Sequence, residues 1–442
     1  MKYNAEFKLT LQVSLLLFFF ATKEAPIFAH QEALSETKKT SSFIKMPQQL
    51  VLLKAVVRDN LIENILPYWM SKMVDDVNGG FYGRIDGNDK VYPDAIKGGI
   101  LNARILWTFS SAFRILKDSA YLRTATRARD YILAHFIDKQ FGGAYLSLNS
   151  KGEPEDTRKQ IYTQAFFIYS LSEYYLATGD KESLLKAKEI FNLVEKYSFD
   201  NQFNGYFEAY SRDWIRINDK MIGEKTDNDQ KGMNTHLHIL EAYANLYRSW
   251  PDERVEKSLR NLVELFNDRI VDKQTYHLIN FLNEKWESTS PVESYGHDIE
   301  ASWLIVEAAH LLKDPVLIDK IEKLSLKMVK AASEGLQPDG SMIYERDKVT
   351  GHVNTNRQWW PQAETIVGFV NAFKLTGDES YLVTAVNSWK YIDKNFVDHK
   401  DGEWFNSISD SGVIGRGDKG GFWKCPYHNG RMCMEIIQRA SY

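Results

Sequence analysis

Six residues with reactive or aromatic side chains recur along this chain at nearly even intervals. They lie about 65 residues apart on average, and they are Arg104, Tyr162, His238, His297, Trp360 and His428. Imidazoles exchange protons near neutral pH, and a guanidinium stabilises developing negative charge. Even spacing predicts that each residue holds an equivalent position in a structural repeat, so that side chains distant in sequence converge on one site.

His297 and Glu300 are three residues apart near the start of a predicted helix. This spacing puts both side chains on one helical face, and it predicts a hydrogen bond between them. A carboxylate on one imidazole nitrogen fixes the tautomer and raises the basicity of the other nitrogen, as a general base requires. An ordinary surface pair is the alternative interpretation.

Two further histidines lie at predicted helix starts. His428 follows a segment that contains glycine and proline, which is typical of an active-site residue on a rigid loop. His238 follows Asn234 by four residues, so these two side chains share a helical face. His236 points elsewhere and is interpreted as structural.

Aromatic residues make up 13% of the chain, and several lie beside the predicted site. The rings expected to line the same opening are Trp359, Trp360, Phe422, Trp423 and Tyr162, and flat amphipathic rings there favour a carbohydrate. No glycine-rich loop with a Lys-Ser or Lys-Thr pair enters a helix, which argues against a phosphorylated ligand. Packing between helices is the alternative role for each ring.

Three histidines and a glutamate could in principle bind zinc. The sequence has no HExxH motif, however, and the histidines come from separate repeats. We therefore predict neither a metal ion nor any other cofactor.

The elements that position these residues follow from a turn that recurs about every 63 residues. Its glycines are Gly79, Gly142, Gly205, Gly340 and Gly402, and a degenerate copy is expected within residues 268–282. Between the turns, helices that are apolar all round alternate with helices that have a charged face, which indicates inner and outer positions. Six inner and six outer helices predict an all-α (α/α)6 barrel, with the entries to the inner helices at one mouth. An open solenoid is the alternative, but it would need polar capping units.

Composition and the first residues set the expected boundaries, location and partners. The chain has 442 residues and a net charge of −4, and it lacks the basic run that favours nucleic acid. A basic start and a short apolar stretch predict a secretory signal peptide at residues 1–29. Residues 30–45 are interpreted as a polar tether, and residues 46–442 as one catalytic barrel.

These features predict a periplasmic or secreted protein, or a cytoplasmic one if the leader is not processed. We expect a monomer that has no stable membrane insertion after removal of the leader. Cys425 and Cys433 are expected to be free thiols, because two cysteines form no disulfide framework.

Several motifs in register resemble those of one enzyme family. Residues 98–107, 234–238, 296–300 and 423–428 are similar to the cellobiose 2-epimerase branch of the N-acylglucosamine 2-epimerase superfamily. The resemblance covers the chain after about residue 48. It implies an (α/α)6 barrel that inverts C2 of the reducing-end sugar of a β-1,4-linked disaccharide, by ring opening and passage through an enediolate.

The resemblance also implies roles for individual residues. His297 and His428 match the acid/base pair at the sugar C2, with Glu300 as the partner of His297. His238 matches a histidine that assists ring opening. The residues that match contacts to the substrate are Arg104, Tyr162, Trp360 and Trp423.

Other activities stay open at this level. The same chemistry could act on mannobiose or an N-acylglucosamine, and a single base would favour aldose–ketose isomerisation. An inverting glycoside hydrolase would need two carboxylates about 6.5–9.5 Å apart, for which Glu300 and Glu364 are candidates. A non-catalytic sugar-binding protein is the remaining alternative.

Overall fold

The computed structural model describes residues 46–218 and 229–441 of the chain. The predicted signal peptide and tether, residues 1–45, lie outside these described residues. Within the described ranges, no helix combines the length and the apolar character needed to cross a membrane.

Helices form most of the described chain. In chain order they are α1 (Gln48–Asp59), α2 (Leu66–Ser71), α3 (Gly99–Leu116), α4 (Ser119–Tyr131), α5 (Ile161–Thr178), α6 (Lys181–Tyr197), α7 (Met233–Ser249), α8 (Glu253–Leu265), α9 (Tyr295–Leu312), α10 (Pro315–Ala332), α11 (Trp359–Thr376), α12 (Glu379–Asn395) and α13 (Tyr427–Arg439). A π-helical segment joins α1 to α2, and two others extend α4 and α8. The first fourteen residues of α3, α5 and α11 are all buried, as expected for enclosed helices.

In the part of the chain that the structure describes, six inner helices form a closed ring. Helix α3 packs on α5, α5 on α7, α7 on α9, α9 on α11 and α11 on α13, and α13 packs on α3. Helices α4, α6, α8, α10 and α12 each cover the inner helix that precedes them, while α1 packs on α12 and α13. The predicted (α/α)6 barrel is confirmed. Cys425 and Cys433 are free, as expected.

Aspartates begin five of the outer helices. Each side chain accepts a hydrogen bond from a backbone N–H of the first turn, and the caps are Asp118, Asp180, Asp252, Asp314 and Asp378. Such a cap satisfies an N–H group that has no partner within the helix. The turn from each inner helix to the following outer helix is therefore determined locally.

Short strands lie at the opposite end of the barrel, before the inner helices. They are β1 (Lys97–Gly98), β2 (Ser147–Leu148), β3 (Pro154–Asp156), β4 (Lys159–Gln160), β5 (Ala209–Tyr210), β6 (Lys231–Gly232), β7 (Phe281–Leu282), β8 (Val292–Ser294), β9 (Glu345–Asp347), β10 (Val353–Asn354), β11 (Arg357–Gln358), β12 (Ser407–Ile408) and β13 (Ile414–Gly415). Strands β1, β4, β6, β8 and β11 each end where an inner helix begins. Each pairs antiparallel with a strand of the following connection, namely β2, β5, β7, β9 and β12. This pairing holds the N-terminal ends of the inner helices at one mouth.

The recurring turn adopts the left-handed backbone that its glycines permit. The φ angle is +78° at Gly79, +72° at Gly142 and +82° at Gly205, a region that favours glycine. The degenerate copy is also present, because Val271 and Leu278 form the same antiparallel bridge as the residues that flank the other turns.

Buried ion pairs connect four of these turns to the mouth. The Nζ–Oδ distances are 2.7 to 2.9 Å, and the pairs are Lys97–Asp75, Lys159–Asp138, Lys231–Asp200 and Lys419–Asp398. All four lysines are buried, so each ammonium needs its carboxylate. Three of these lysines precede an inner helix by two residues, and their pairs therefore fix where that helix starts.

Candidate functional site

A cavity of about 400 Å³ lies among the N-terminal ends of the inner helices. All ten predicted site residues line it: Arg104, Tyr162, Asn234, His238, His297, Glu300, Trp359, Trp360, Trp423 and His428. Tyr344 and Gln358 line it as well, whereas Phe422, which was also expected at this opening, packs against the ring of Trp423 and is not part of the lining. Because the inner helices point their N-terminal ends at this cavity, their dipoles favour negative charge inside it.

His428 is hydrogen-bonded to a carboxylate of the neighbouring inner helix. Its Nδ1 lies 2.7 Å from Oε1 of Glu364 and 3.9 Å from Oε1 of Glu300. Burial, followed by the charges of Arg104 and Arg431, lowers the pKa of His428 well below its ordinary value. Burial also raises the pKa of Glu364. The His428–Glu364 pair can therefore hold a proton on either partner.

His297 has a different partner from the one predicted. Its Nδ1 lies 2.8 Å from Oγ of Ser294, whereas Glu300 accepts a hydrogen bond from Nη2 of Arg431 at 2.6 Å. The predicted His297–Glu300 pair is wrong, because Nδ1 of His297 bonds to Ser294 at the start of its own helix and Glu300 pairs with Arg431. Desolvation in the cavity, with a smaller effect of His238, lowers the pKa of His297 to about 3. This imidazole is therefore neutral at pH 7.

His238 forms a pair with a carboxylate on its own helix. Its Nδ1 lies 2.9 Å from Oε2 of Glu241, three residues further on. Burial opposes ionisation of this carboxyl, but Arg431 and His238 together lower the pKa of Glu241 to about 2. An ionised carboxylate only accepts hydrogen bonds, so Nδ1 of His238 carries the proton and Nε2 is the basic nitrogen. Asn234 and His238 both line the cavity, as their spacing predicted.

Arg431 connects three carboxylates next to the cavity. Its Nη2 donates to Glu300 and Glu364 at 2.6 Å each, and its Nη1 donates to Glu241. Atoms of Glu300, Glu364 and His428 lie within 4.8 Å of one another, a grouping that could hold a metal ion. A cation there would be repelled by the guanidinium of Arg431, which is paired with both carboxylates. The absence of a metal stays a prediction.

Arg104 is held rigidly at the cavity wall. Its Nη2 donates to the hydroxyl of Tyr162 at 2.8 Å, and its Nη1 donates to the carbonyl oxygen of Trp423 at 3.3 Å. The guanidinium lies over the rings of Phe166 and Tyr427. No salt bridge to Arg104 occurs within residues 46–218 and 229–441. Its charge is therefore available to an anion in the cavity.

The tryptophans differ in how they meet the cavity. The side chain of Trp423 is the most open, since the residue is 39% exposed, whereas Trp359 and Trp360 are 8% and 9% exposed. The ring of Trp360 lies 4.6 Å from that of His297 and 5.6 Å from that of His428, between centroids. Trp360 therefore packs against both imidazoles, and Trp423 presents a flat face on which a sugar ring can stack.

Sequence reasoning missed Glu241, Arg431, Tyr344 and Gln358. Glu241 could have been found, because His238 and Glu241 have the same spacing as His297 and Glu300. Arg431 lies on the helix of His428, but its partners come from three other helices. Tyr344 and Gln358 lie in a connection between helices, where no spacing rule places a side chain.

His297 should make the stability of the fold depend on pH. The pKa of His297 is about 3 in the folded protein and about 6.5 in an unfolded chain, so between these values the unfolded chain binds the extra proton. Stability is therefore lost as the pH falls below about 6.5, by up to about 1.4 kcal/mol per pH unit. The variant His297→Gln lacks this loss. The free energy of unfolding of both proteins is measured by urea denaturation between about pH 6.5 and 4.5. As the pH falls, the difference in favour of the variant should grow by up to about 1.4 kcal/mol per pH unit. Parallel pH profiles for the two proteins would contradict a neutral, desolvated His297.

The fold and the cavity define a class of protein. One mouth of the helical barrel holds three neutral imidazoles, a fixed guanidinium and an open tryptophan. Such a site is suited to binding a sugar and transferring protons to and from it.

Comparison with known proteins narrows this class to one family. The model of the N-acylglucosamine 2-epimerase (GlcNAc 2-epimerase) family matches residues 80–429. A cellobiose 2-epimerase of Bacteroides fragilis is 52% identical over 387 residues, which cover 87% of this chain and 99% of the relative. A second cellobiose 2-epimerase, of Dictyoglomus turgidum, is 37% identical over 391 residues, covering 88% and 99%. The structure of cellobiose 2-epimerase from Bacillus thermoamylovorans B4167 matches with a TM-score of 0.84 at 40% identity, covering 88% of this chain and all of the other. The chain belongs to the N-acylglucosamine 2-epimerase family.

Proposed function

We propose that this protein is a cellobiose 2-epimerase, which converts cellobiose to glucosyl-mannose by inverting C2 of the reducing-end sugar. The observation that carries the proposal is that His297 and His428, from different inner helices, line one cavity with different partners. Inversion requires that a proton leave C2 on one face and return on the other. Two independent imidazoles can do this, whereas one base returns the proton to its own face or to C1.

The proton states of the two imidazoles suit this task. The C2 proton becomes acidic once the ring has opened and C1 is an aldehyde. One imidazole must then be neutral to take that proton, while the other must have a proton to give. His297 is hydrogen-bonded to a serine hydroxyl, whereas His428 is hydrogen-bonded to Glu364, whose carboxyl can supply a proton. The residues exchange roles in the reverse direction.

Arg104 and the helix dipoles stabilise the negative charge that develops on the enediolate. Arg104 has its guanidinium fixed by Tyr162 and by the Trp423 carbonyl, so no reorganisation is needed when the charge appears. The N-terminal ends of the inner helices add their dipoles. Glu300 acts on this reaction through Arg431 and His428 rather than through His297.

The size of the site favours a disaccharide. A second cavity of about 570 Å³ adjoins the first, and Asn234, His297 and Tyr344 line both. Two adjoining cavities suit a ligand of two sugar rings, and the open face of Trp423 offers one ring a stacking surface. The similarity to cellobiose 2-epimerases supports cellobiose as this ligand.

The separation of Glu300 and Glu364 does not suit an inverting glycoside hydrolase. Carboxylate oxygens of Glu300 and Glu364 lie within 4.8 Å of each other and share one nitrogen of Arg431. Inverting hydrolases need a separation of about 6.5–9.5 Å, with water and sugar between the carboxylates.

The test is to incubate the protein with cellobiose in D2O and to follow the reducing-end C2 by NMR. We expect deuterium at C2 together with conversion to glucosyl-mannose, and no effect of EDTA. Free glucose without deuterium exchange would establish hydrolysis instead. A ketose as the main product would establish an aldose–ketose isomerase.

We also propose that residues 1–29 are a secretory signal peptide, followed by a tether at 30–45, and that the barrel acts as a monomer in the periplasm or outside the cell. Lys2 and Lys8 precede an apolar stretch too short to span a membrane, which supports secretion. The mass and first residues of the protein recovered from cell fractions decide this. A full-length chain confined to the cytoplasm would contradict it.

A further inference from the structure

Four inner helices are attached to the recurring turn before them by the side chain of their fourth residue. Each side chain accepts a hydrogen bond from the backbone N–H of a residue in the antiparallel bridge of that turn. The distances are 2.7 to 2.9 Å, and the pairs, helix residue first, are Gln164–Ala144, His236–Tyr206, Asp298–Leu278 and Gln362–Met342. We call this contact the turn clamp. It holds the first turn of the helix against the preceding repeat.

The turn clamp of α9 differs from the others because it uses a carboxylate. Gln164 and Gln362 also donate to the carbonyl oxygen of the residue that they hold, but an ionised carboxylate only accepts. The second oxygen of Asp298 is bound instead by Nδ1 of His277 at 2.7 Å. Both side chains are buried, so the carboxylate needs a positive partner. The turn clamp of α9 therefore depends on His277.

Helix α9 also begins after a glutamate where three other inner helices begin after a lysine. Those buried lysines precede their helices by two residues, and they are Lys97, Lys159 and Lys231. Before α9 the same position holds Glu293, and Nε2 of His277 lies 4.0 Å from Glu293 and 3.7 Å from Glu334. Arg346 pairs with both glutamates from the other side. Burial opposes a charge on His277, but the hydrogen bond to Asp298 and the carboxylates around the ring raise the pKa of His277. His277 thus supplies a cation at the start of α9.

The contacts of His277 lie on both sides of the hydrogen bond that orients His297. That bond joins Nδ1 of His297 to Oγ of Ser294. One nitrogen of His277 binds Asp298, the residue after His297. The other nitrogen faces Glu293, the residue before Ser294. A shift of α9 against strand β8 would therefore move the imidazole of His297 relative to the sugar.

We propose that His277 is a positioning residue for His297, which holds the first turn of α9 to strand β8 and to the preceding turn and so places the imidazole of His297 at C2. The inference rests on the proposed function, because it concerns the proton that His297 transfers. His277 lies outside the lining of the cavity, so it acts only through residues 293–298. A misplacement of about 1 Å can slow an enzyme about 10²-fold.

The experiment measures deuterium exchange at C2 of cellobiose and of glucosyl-mannose separately, by NMR in D2O, for the variant His277→Ser. The variant His297→Asn identifies which sugar depends on His297 for exchange. On that sugar, His277→Ser should slow exchange at least about 10-fold. Exchange on the other sugar depends on His428 and should stay close to the wild-type rate. A loss of folded protein alone would lower both rates by the same factor.

A second variant restores the turn clamp without a charge. In α11, Gln362 holds Met342, and the residue before Met342 is Ser341. The double variant His277→Ser/Asp298→Gln copies this arrangement into α9, and it should recover most of the exchange that the single variant loses. If His277→Ser is not recovered folded, His277→Gln keeps a donor beside Asp298 without the charge and should show the same selective loss.

His399→Ser is the matched control, because His399 lies in the corresponding turn of another repeat and is exposed. It should leave exchange on both sugars unchanged. Equal slowing on both sugars, no slowing on either, or a double variant no faster than His277→Ser would overturn the inference. A wild-type protein that exchanges neither sugar would contradict the proposed function instead, so the two failures are distinguishable.

Discussion

Replacing either His297 or His428 with asparagine should abolish C2 inversion. Each variant should still exchange the C2 proton of one of the two epimeric sugars with solvent. Inversion needs both imidazoles, so each single variant should lose at least about 10³-fold in kcat for conversion of cellobiose. The remaining imidazole can still remove the C2 proton from its own face and return it. One variant should therefore incorporate deuterium only into cellobiose, and the other only into glucosyl-mannose. NMR of each sugar in D2O with each variant measures both quantities.

The complementary pattern distinguishes two bases from one. If a single histidine did all the proton transfers, its variant would lose exchange on both sugars and the other variant would lose neither. That outcome would remove the second histidine from the proposed pair. His310→Asn is the matched control, because His310 lies on the surface and is paired with Glu322. It should keep full inversion and exchange.

Replacing Arg431 with methionine should cost the fold about 3–5 kcal/mol, because it leaves buried carboxylates without their positive partner. Arg431 is 1% exposed and is bound to Glu241, Glu300 and Glu364. Burial already raises the pKa of Glu300 and Glu364, against the lowering effect of this guanidinium. Without it, the variant must bury charges or bind protons. Urea denaturation at pH 7 measures the loss, and part of it should be recovered at lower pH, where the carboxyls are protonated.

Arg254→Met is the control for this experiment. Arg254 is paired with Asp252 on the surface, and exposed pairs contribute only about 0–1 kcal/mol. An Arg431→Met protein as stable as this control would show that the three carboxylates do not depend on the guanidinium. The same loss of stability at every pH would indicate lost packing rather than lost charge.

Two histidine–glutamate pairs with the same spacing differ in whether they form a hydrogen bond, and their spacing does not predict this difference. His238 and Glu241 are three residues apart and form a hydrogen bond. His297 and Glu300 have the same spacing and do not. Arg431 donates to both glutamates, so this guanidinium alone does not explain the difference. Ser294, three residues before His297, bonds to its Nδ1, whereas Thr235, three residues before His238, donates to Glu208 instead.

The sequence by itself determined the barrel and ten of the residues that line its mouth. A turn and a pair of helices recur at a nearly constant interval, because each repeat buries its apolar helix against its neighbours. Residues at equivalent positions must then meet, and all ten predicted site residues line one cavity. Periodicity, capping and polarity depend on residues close together in the chain, so the sequence alone predicts the helices and the turns between them.

Only the tertiary structure decided which groups share protons. The pairs His428–Glu364 and Arg431–Glu300 join different inner helices, and their geometry depends on how far each helix is rotated and shifted against the next. The buried lysine–aspartate pairs that fix the helix starts are likewise contacts between segments. The sequence therefore identified the three histidines, and the packing of the helices determined the partners of His428 and Arg431.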